Sequence, residues 1–183
     1  MDTPHIVKRF YKAQAHLSAY LMKPYRRQPH ITAFVCGFLA EKQTFGDDYT
    51  HHERMRHIQA IGNAQIAPFE LAIGGIDSFA TAPYLKLLDP EGDLQRIRNI
   101  LSETHSEIRM NPYIPHVTLG LYAGSFENGL LVEKTASFQD TPLIRQQVKN
   151  IRLSTYSAQE MAGPLAVHDT VTLDQPQKRG RYP

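Results

Sequence analysis

The sequence contains no tryptophan and a single cysteine among its 183 residues. One thiol cannot close an internal disulfide, so covalent cross-links within the chain are excluded, and Cys36 in its apolar surroundings reads as a packing residue. Long apolar runs are missing as well. The longest, Ala33 to Ala40, is too short to cross a bilayer. The first ten residues lack the apolar core of a signal peptide. Together these absences predict a cytoplasmic protein with no membrane contact. An excess of one charge is also lacking in the body of the chain. Residues 175–183 carry Lys178, Arg179 and Arg181 and no acid; without them 17 basic residues face 18 acidic ones, a net of −1. A near-neutral body argues against tracking many phosphates, so duplex DNA is not an expected partner, while a small substrate with one or two phosphates is compatible. The chain reads as one monomeric domain over 1–174 with room for two lobes, followed by a basic, flexible tail over 175–183.

Apolar spacing lays out the elements. Ile6, Phe10, Ala13, Leu17 and Leu21 keep a helical period, which predicts a first helix over 6–21, stopped by Pro24. A second helix is expected from about Asp48 to Ile61. Pro68 to Ile73 alternates like a strand and meets Gly74-Gly75, a turn signal. Another strand is expected from Tyr84 to Leu88. Asp93 then caps a helix that buries Leu94, Ile97, Ile100 and Leu101 and turns Arg96, Arg98, Glu103 and Glu107 to solvent. Gly124 and Asn128-Gly129 mark turns, and two closing strands run from Val148 to Tyr156 and from Ala166 to Leu173. The stretch from His30 to Phe79 and the stretch from Tyr84 onward look like loose copies, each joining strands to one helix. That order predicts an α+β fold: two quasi-symmetric lobes of mainly antiparallel sheet, helices outside, and a central cleft.

Two stretches share one pattern, Gln28-Pro-His-Ile-Thr-Ala-Phe34 and Tyr113-Ile-Pro-His-Val-Thr-Leu-Gly120. On a strand His30 and Thr32 point one way and Ile31 the other, and likewise His116 and Thr118 against Val117. The bare spacing says little, because four of the nine histidines (His16, His30, His116 and His168) carry Ser or Thr two positions later. Only His30 and His116 add a preceding proline, a β-branched middle residue and an apolar continuation. Facing each other, such strands would frame a site of two imidazoles and two hydroxyls. One neutral and one protonated imidazole can divide the two proton transfers of phosphodiester cleavage, and the hydroxyls can bond the oxygens where charge develops.

Other residues are candidates around that site. Lys23, Arg26 and Arg27 lie in the loop that delivers the chain to His30, a position suited to phosphate contact. Phe34 and Tyr122 share the parity of their motif's histidine, and Tyr113 lies close by, so these three are candidates for stacking a base. His51, His52 and His57 invite a metal reading. The zinc pattern His-Glu-x-x-His needs histidines four apart, whereas His52 and His57 are five apart and diverge by about 140° on a helix. Glu53 and His57, four apart, predict an exposed ion pair instead. No metal and no cofactor is expected.

With its two motifs, His30-Ile-Thr-Ala and His116-Val-Thr-Leu, 86 residues apart, the chain resembles the 2H phosphoesterase superfamily, which includes 2'-5' RNA ligase-like proteins and cyclic nucleotide phosphodiesterases. Gly37, the strand Phe69-Glu-Leu-Ala-Ile followed by Gly75 and Phe79, the helix before His116 and the late Ile151-Arg-Leu-Ser-Thr-Tyr-Ser157 are similar too, so the resemblance spans roughly residues 28–174. Three positions depart from the pattern. Leu121 stands where the ligase-like branch often has Arg, Ala33 replaces a larger apolar residue, and the chain opens with a predicted helix rather than a strand. Phosphate charge would then come from Lys23, Arg26, Arg27 or Arg109. The resemblance implies a bilobal fold and a phosphodiesterase acting on a 2',3'-cyclic phosphate or a 2'-5' linkage of RNA or nucleotides, with His116 as base and His30 as acid. It also leaves open a cyclic di- or oligonucleotide signal as substrate. From other classes, a non-catalytic module binding a nucleotide or RNA end, and a metalloprotein using His51, His52 or His57, remain as alternatives.

Overall fold

In chain order the elements are α1 (Pro4–His16), β1 (Phe38–Leu39), β2 (Asp48–Tyr49), α2 (His51–Asn63), β3 (Phe69–Ser78), β4 (Pro83–Leu88), α3 (Asp93–Ser102), β5 (His116–Thr118), α4 (Asn128–Ala136), β6 (Ile144–Val148), β7 (Asn150–Thr155) and β8 (Ala166–Thr172). They come from a computed structural model that describes residues 3–173. The tail expected over 175–183 lies outside the described residues. The fold is α+β, as the sequence predicts. One antiparallel sheet has the order β5-β4-β3-β6, a second pairs β7 with β8 antiparallel, and β1 and β2 form a short parallel pair.

Amphipathic spacing decides which faces meet. Along β3, Phe69, Leu71 and Ile73 are buried while Glu70 between them is exposed, a period of two. Helix α1 lays Ile6, Phe10 and Ala13 into the same core, continued by Leu17 and Leu21 beyond its end. Arg9 rides on that buried face. Its guanidinium donates to the carbonyls of Ile73 and Gly74 and to the Asp140 carboxylate at 2.8 Å, so its charge is paired rather than stranded. Helix α2 packs on α3 and on β8, placing both helices with the second sheet.

Several elements differ from the sequence reading, each for a local reason. Helix α1 ends at His16, eight residues before Pro24, and Leu17 to Tyr20 form turns. Gly74-Gly75 does not turn the chain; β3 runs through it with a shift of register between Ile73 and Ile76, and a side chain at Gly75 would meet Thr141 at 3.1 Å. The N-terminus of α3 is bonded by Asp89, whose carboxylate accepts from the amides of Asp93 and Leu94, and Gly92 (φ 74°) makes the turn into it. Asn128-Gly129 begins α4 instead of marking a turn. The boundary between the two halves does not fall between Phe79 and Tyr84. The tight turn that bonds the Phe79 amide to the Ala82 carbonyl folds β4 back on β3, so β3 sits in the sheet that carries the second motif.

The largest departure concerns the first motif. Residues 30–37 belong to no ladder, and only Phe38–Leu39 pair as β1. Their backbone is partnered from another direction, by the stretch 98–113. The carbonyl of Thr32 accepts from Tyr113 Oη, that of Ala33 from Arg98 Nη1, that of Val35 from the Ile108 amide and that of Cys36 from His105 Nε2, while the Val35 amide donates to Glu107 Oε1. Arg98 and Glu107 pair with each other at 2.5 Å in a nearly closed environment, their side chains only 13 % and 9 % exposed. This corrects the expectation that both face solvent. Arg98→Ala strips an acceptor of its donor and leaves Glu107 short of a partner, so it should lower stability by about 3 kcal/mol in urea unfolding at neutral pH. A loss under about 0.5 kcal/mol, typical of an exposed surface site, would show that the clamp is dispensable.

Candidate functional site

Strand β5 holds the second motif in the arrangement alternation requires. Val117 is fully buried, directly opposite Leu85, and His116 and Thr118 lie on the other face. Opposite them on β4 are Lys86 and Tyr84, so these share the open face. The His116 ring meets Phe79 edge-on at 4.9 Å and Tyr84 at 5.4 Å, and those two rings stack on each other at 4.2 Å. In the first motif Ile31 packs against the core, with His30 and Thr32 half-buried.

Both histidines are fixed by one local device. Nδ1 of His30 bonds the carbonyl of Gln28 at 2.8 Å, and Nδ1 of His116 bonds that of Ile114 at 2.6 Å. A carbonyl only accepts, so each Nδ1 carries the proton, and in the neutral ring Nε2 keeps its lone pair. The two rings are close enough that charge on His116 opposes charge on His30. Burial holds both imidazoles below the ordinary histidine value of 6.5, against the upward pull of the carbonyl bonds, and Arg27 beside His30 and Arg109 beside His116 press the same way.

The approach loops cross between the motifs. Tyr113, just before His116, donates to the carbonyl of Thr32 at 3.1 Å; Tyr25, just before His30, reaches the carbonyl of Thr118 at 3.4 Å. Burial raises the Tyr25 phenol and pushes that of Tyr113 up to about 12, so both stay protonated donors at neutral pH.

The remaining candidates divide. Arg27 is held beside His30 by stacking on Tyr156 at 4.1 Å and by donating to the Gly163 carbonyl. Arg26 turns away into an ion pair with Glu160, and Lys23 is exposed. Arg109 stands 3.8 Å from Glu107. Among the proposed base platforms, Tyr113 has a ring face covered by Arg98 at 4.0 Å, Phe34 packs edge-on to His57 at 5.5 Å, and Tyr122 bonds Ser78 Oγ through its hydroxyl. All three are occupied in packing or hydrogen bonding. Lys86, Phe79, Tyr84 and Tyr25 were not legible as site residues. Cross-strand register and loop crossing place them, and neither has a local sequence mark. A hollow of about 560 Å3 opens beside Arg109, lined also by Phe38, Asp47, Glu107 and Met110, and contains none of the four motif side chains.

The histidine cluster on α2 also resolves differently. Glu53 and His57 are both buried rather than an exposed pair. Glu53 accepts from the amide and hydroxyl of Thr50 in a capping box, and His57 donates Nε2–H to the Leu101 carbonyl while Nδ1 accepts from Tyr49 Oη at 2.9 Å. Both His57 nitrogens are thereby committed. Among the described residues no group of three or more His, Cys, Asp or Glu is placed to hold a metal, and no helix is long and apolar enough to cross a membrane.

The sequence profile of the 2'-5' RNA ligase superfamily matches residues 4–160. The chain belongs to that superfamily. Solved structures share the fold of this 2'-5' RNA ligase superfamily member at low identity. Apo Escherichia coli LigT is 14% identical with a TM-score of 0.62, covering 94% of this chain and 93% of that one. E. coli LigT complexed with 3'-AMP is 13% identical with a TM-score of 0.58, over 96% and 95%. A phosphoesterase is 13% identical with a TM-score of 0.56, over 96% of each. No curated protein sequence gives a significant match.

A depressed folded-state value means that the unfolded chain binds protons more readily. Stability contributed by His30 and His116 is then present above pH 6.5 and is lost as the pH falls through their folded values. Nitrogen-15 NMR titration should place both imidazoles below 6.5, and Arg27→Gln should raise His30 more than His116. Titration of both at or above 6.5 would contradict the burial that the site depends on.

Proposed function

We propose that this superfamily member is a metal-independent phosphodiesterase acting on a 2',3'-cyclic phosphate or a 2'-5' phosphodiester of RNA or nucleotides. The observation that carries the reading is the matched pair of imidazoles, each with Nδ1–H spent on the carbonyl two residues back, with no bond to Nε2 from the described residues and a threonine two positions on. In ring opening, neutral His116 takes a proton from water as its oxygen bonds to phosphorus. The bond from phosphorus to the 3' oxygen breaks, and that oxygen receives the proton of the His30 imidazolium, leaving a 2'-phosphate. Thr32 and Thr118 hydroxyls donate to the non-bridging oxygens, where charge grows. Arg27 and Arg109 are the cations best placed for the phosphate, since Arg26 is paired elsewhere. The protein acts as a soluble cytoplasmic monomer on a nucleotide or RNA end.

Two imidazoles that must differ by one proton give a bell-shaped dependence of kcat/KM on pH. With both groups depressed, its maximum should fall on the acid side of pH 6.5. The direct test is a panel of 2',3'-cyclic nucleotides, 2'-5' oligoadenylate and cyclic dinucleotides, incubated with EDTA. Turnover should persist, and His30→Ala and His116→Ala should each reduce it by about 10²–10⁴-fold. Release of the 3'-phosphate isomer would reverse the two roles. Tight nucleotide binding without turnover would instead identify a binding module, and activity that needs metal and survives both substitutions would overturn the two-histidine mechanism.

A further inference from the structure

Each motif's threonine has its backbone carbonyl bonded by a phenol that belongs to the other motif's approach. Tyr113 Oη reaches Thr32 at 3.1 Å and Tyr25 Oη reaches Thr118 at 3.4 Å. The relation is reciprocal: the chain leading to the first motif ties down the second, and the chain leading to the second ties down the first. Both tyrosines are half-buried and pack against the core, and Arg98 lies over the Tyr113 ring at 4.0 Å, so neither ring is free to swing. A carbonyl held in this way fixes the peptide plane next to the threonine and so the direction of the strand that carries the histidine two residues earlier.

We propose that Tyr25 and Tyr113 are positioning residues that lock the two His-x-Thr motifs at one separation and register, so that the two Nε2 atoms approach one phosphorus from opposite sides. The proposal rests on the phosphodiesterase reading for its kinetic consequence but not for its structural one. In-line displacement is sensitive to that separation, since a displacement near 1 Å costs about 10²-fold in rate. A bond lost on one side lets one motif drift; a bond lost on each side lets both drift, with effects that are not independent because they act on a single distance.

The test uses Tyr25→Phe, Tyr113→Phe and the double variant, which keep the rings and remove only the hydroxyls. With a 2',3'-cyclic nucleotide, kcat should fall about tenfold or more in each single variant, with KM changed less than about twofold. The melting temperature should stay within about 4 °C of the parent, the shift expected for one hydrogen bond in a chain of this size. The second readout is independent of turnover. NMR titration of His30 and His116 reports how strongly protonating one depresses the other, and this mutual effect should weaken in the double variant. Unchanged kcat with an unchanged mutual effect would overturn the proposal while leaving the phosphodiesterase reading intact. If the parent turns over nothing but the mutual effect weakens, the positioning role stands and the reaction assignment fails. A kcat loss matched by a large fall in melting temperature, with the mutual effect unaltered, would reduce the tyrosines to general stabilisers and also overturn the proposal.

Discussion

The arrangement depends on how the backbone around Thr32 to Cys36 finds its hydrogen-bond partners. A segment that is half-buried and outside any ladder has polar groups that something must partner. Here the partners come mainly from side chains, with the Arg98–Glu107 pair at the centre. A guanidinium suits this place because its planar fork can bond a carbonyl, meet a carboxylate and lie over a ring at once, and Arg98 does all three with Ala33, Glu107 and Tyr113. The clamping stretch then runs directly into the second motif. One segment of chain therefore holds the backbone that follows the first motif's histidine and runs on into the second motif's histidine.

Electrostatics around the histidines work against charging them. Burial is the largest effect at both rings, and the cations beside them add to it. On the proposed reaction, Arg27 and Arg109 would have opposite effects before and after a phosphate arrives. Without it they disfavour imidazolium, and beside it their charge would be offset by the ligand. Arg27 is held by stacking and a carbonyl bond, and no carboxylate of the described residues pairs with it. Arg26, one residue away, is paired with Glu160.

Much of the fold was legible because periodicity is a local property. The stripe of α1, the alternation of β3 and the buried face of α3 could each be read within one turn or one strand. The His-x-Thr pattern could be picked out for the same reason, since proline, β-branched residue and apolar continuation all lie within a few positions. What failed to show was anything decided by a distant partner. Arg98 looked like a solvent-facing residue because its period on α3 does not reveal a neighbouring segment in need of donors. Gly74-Gly75 looked like a turn because a bulge and a turn draw on the same residue type. Glu53 and His57 have ion-pair spacing, yet Thr50 and Tyr49 just upstream, with Leu101 from α3, had better geometry for each. Tyr25 carried no mark and Tyr113 was marked only as a ring for stacking, as a tyrosine's hydrogen-bond acceptor cannot be seen from the tyrosine.

The bond from each imidazole to the carbonyl two residues behind it spans only Gln28 to His30 and Ile114 to His116. The proline inside each span, Pro29 and Pro115, restricts the backbone there. Which nitrogen bears the proton is therefore settled within three consecutive residues, before either lobe has met the other. The chemical identity of each half-site is inherited as a short cassette, and only the distance between the cassettes is left for the rest of the molecule to determine. A substitution elsewhere can therefore shift that distance without changing which nitrogen of each ring bears the proton.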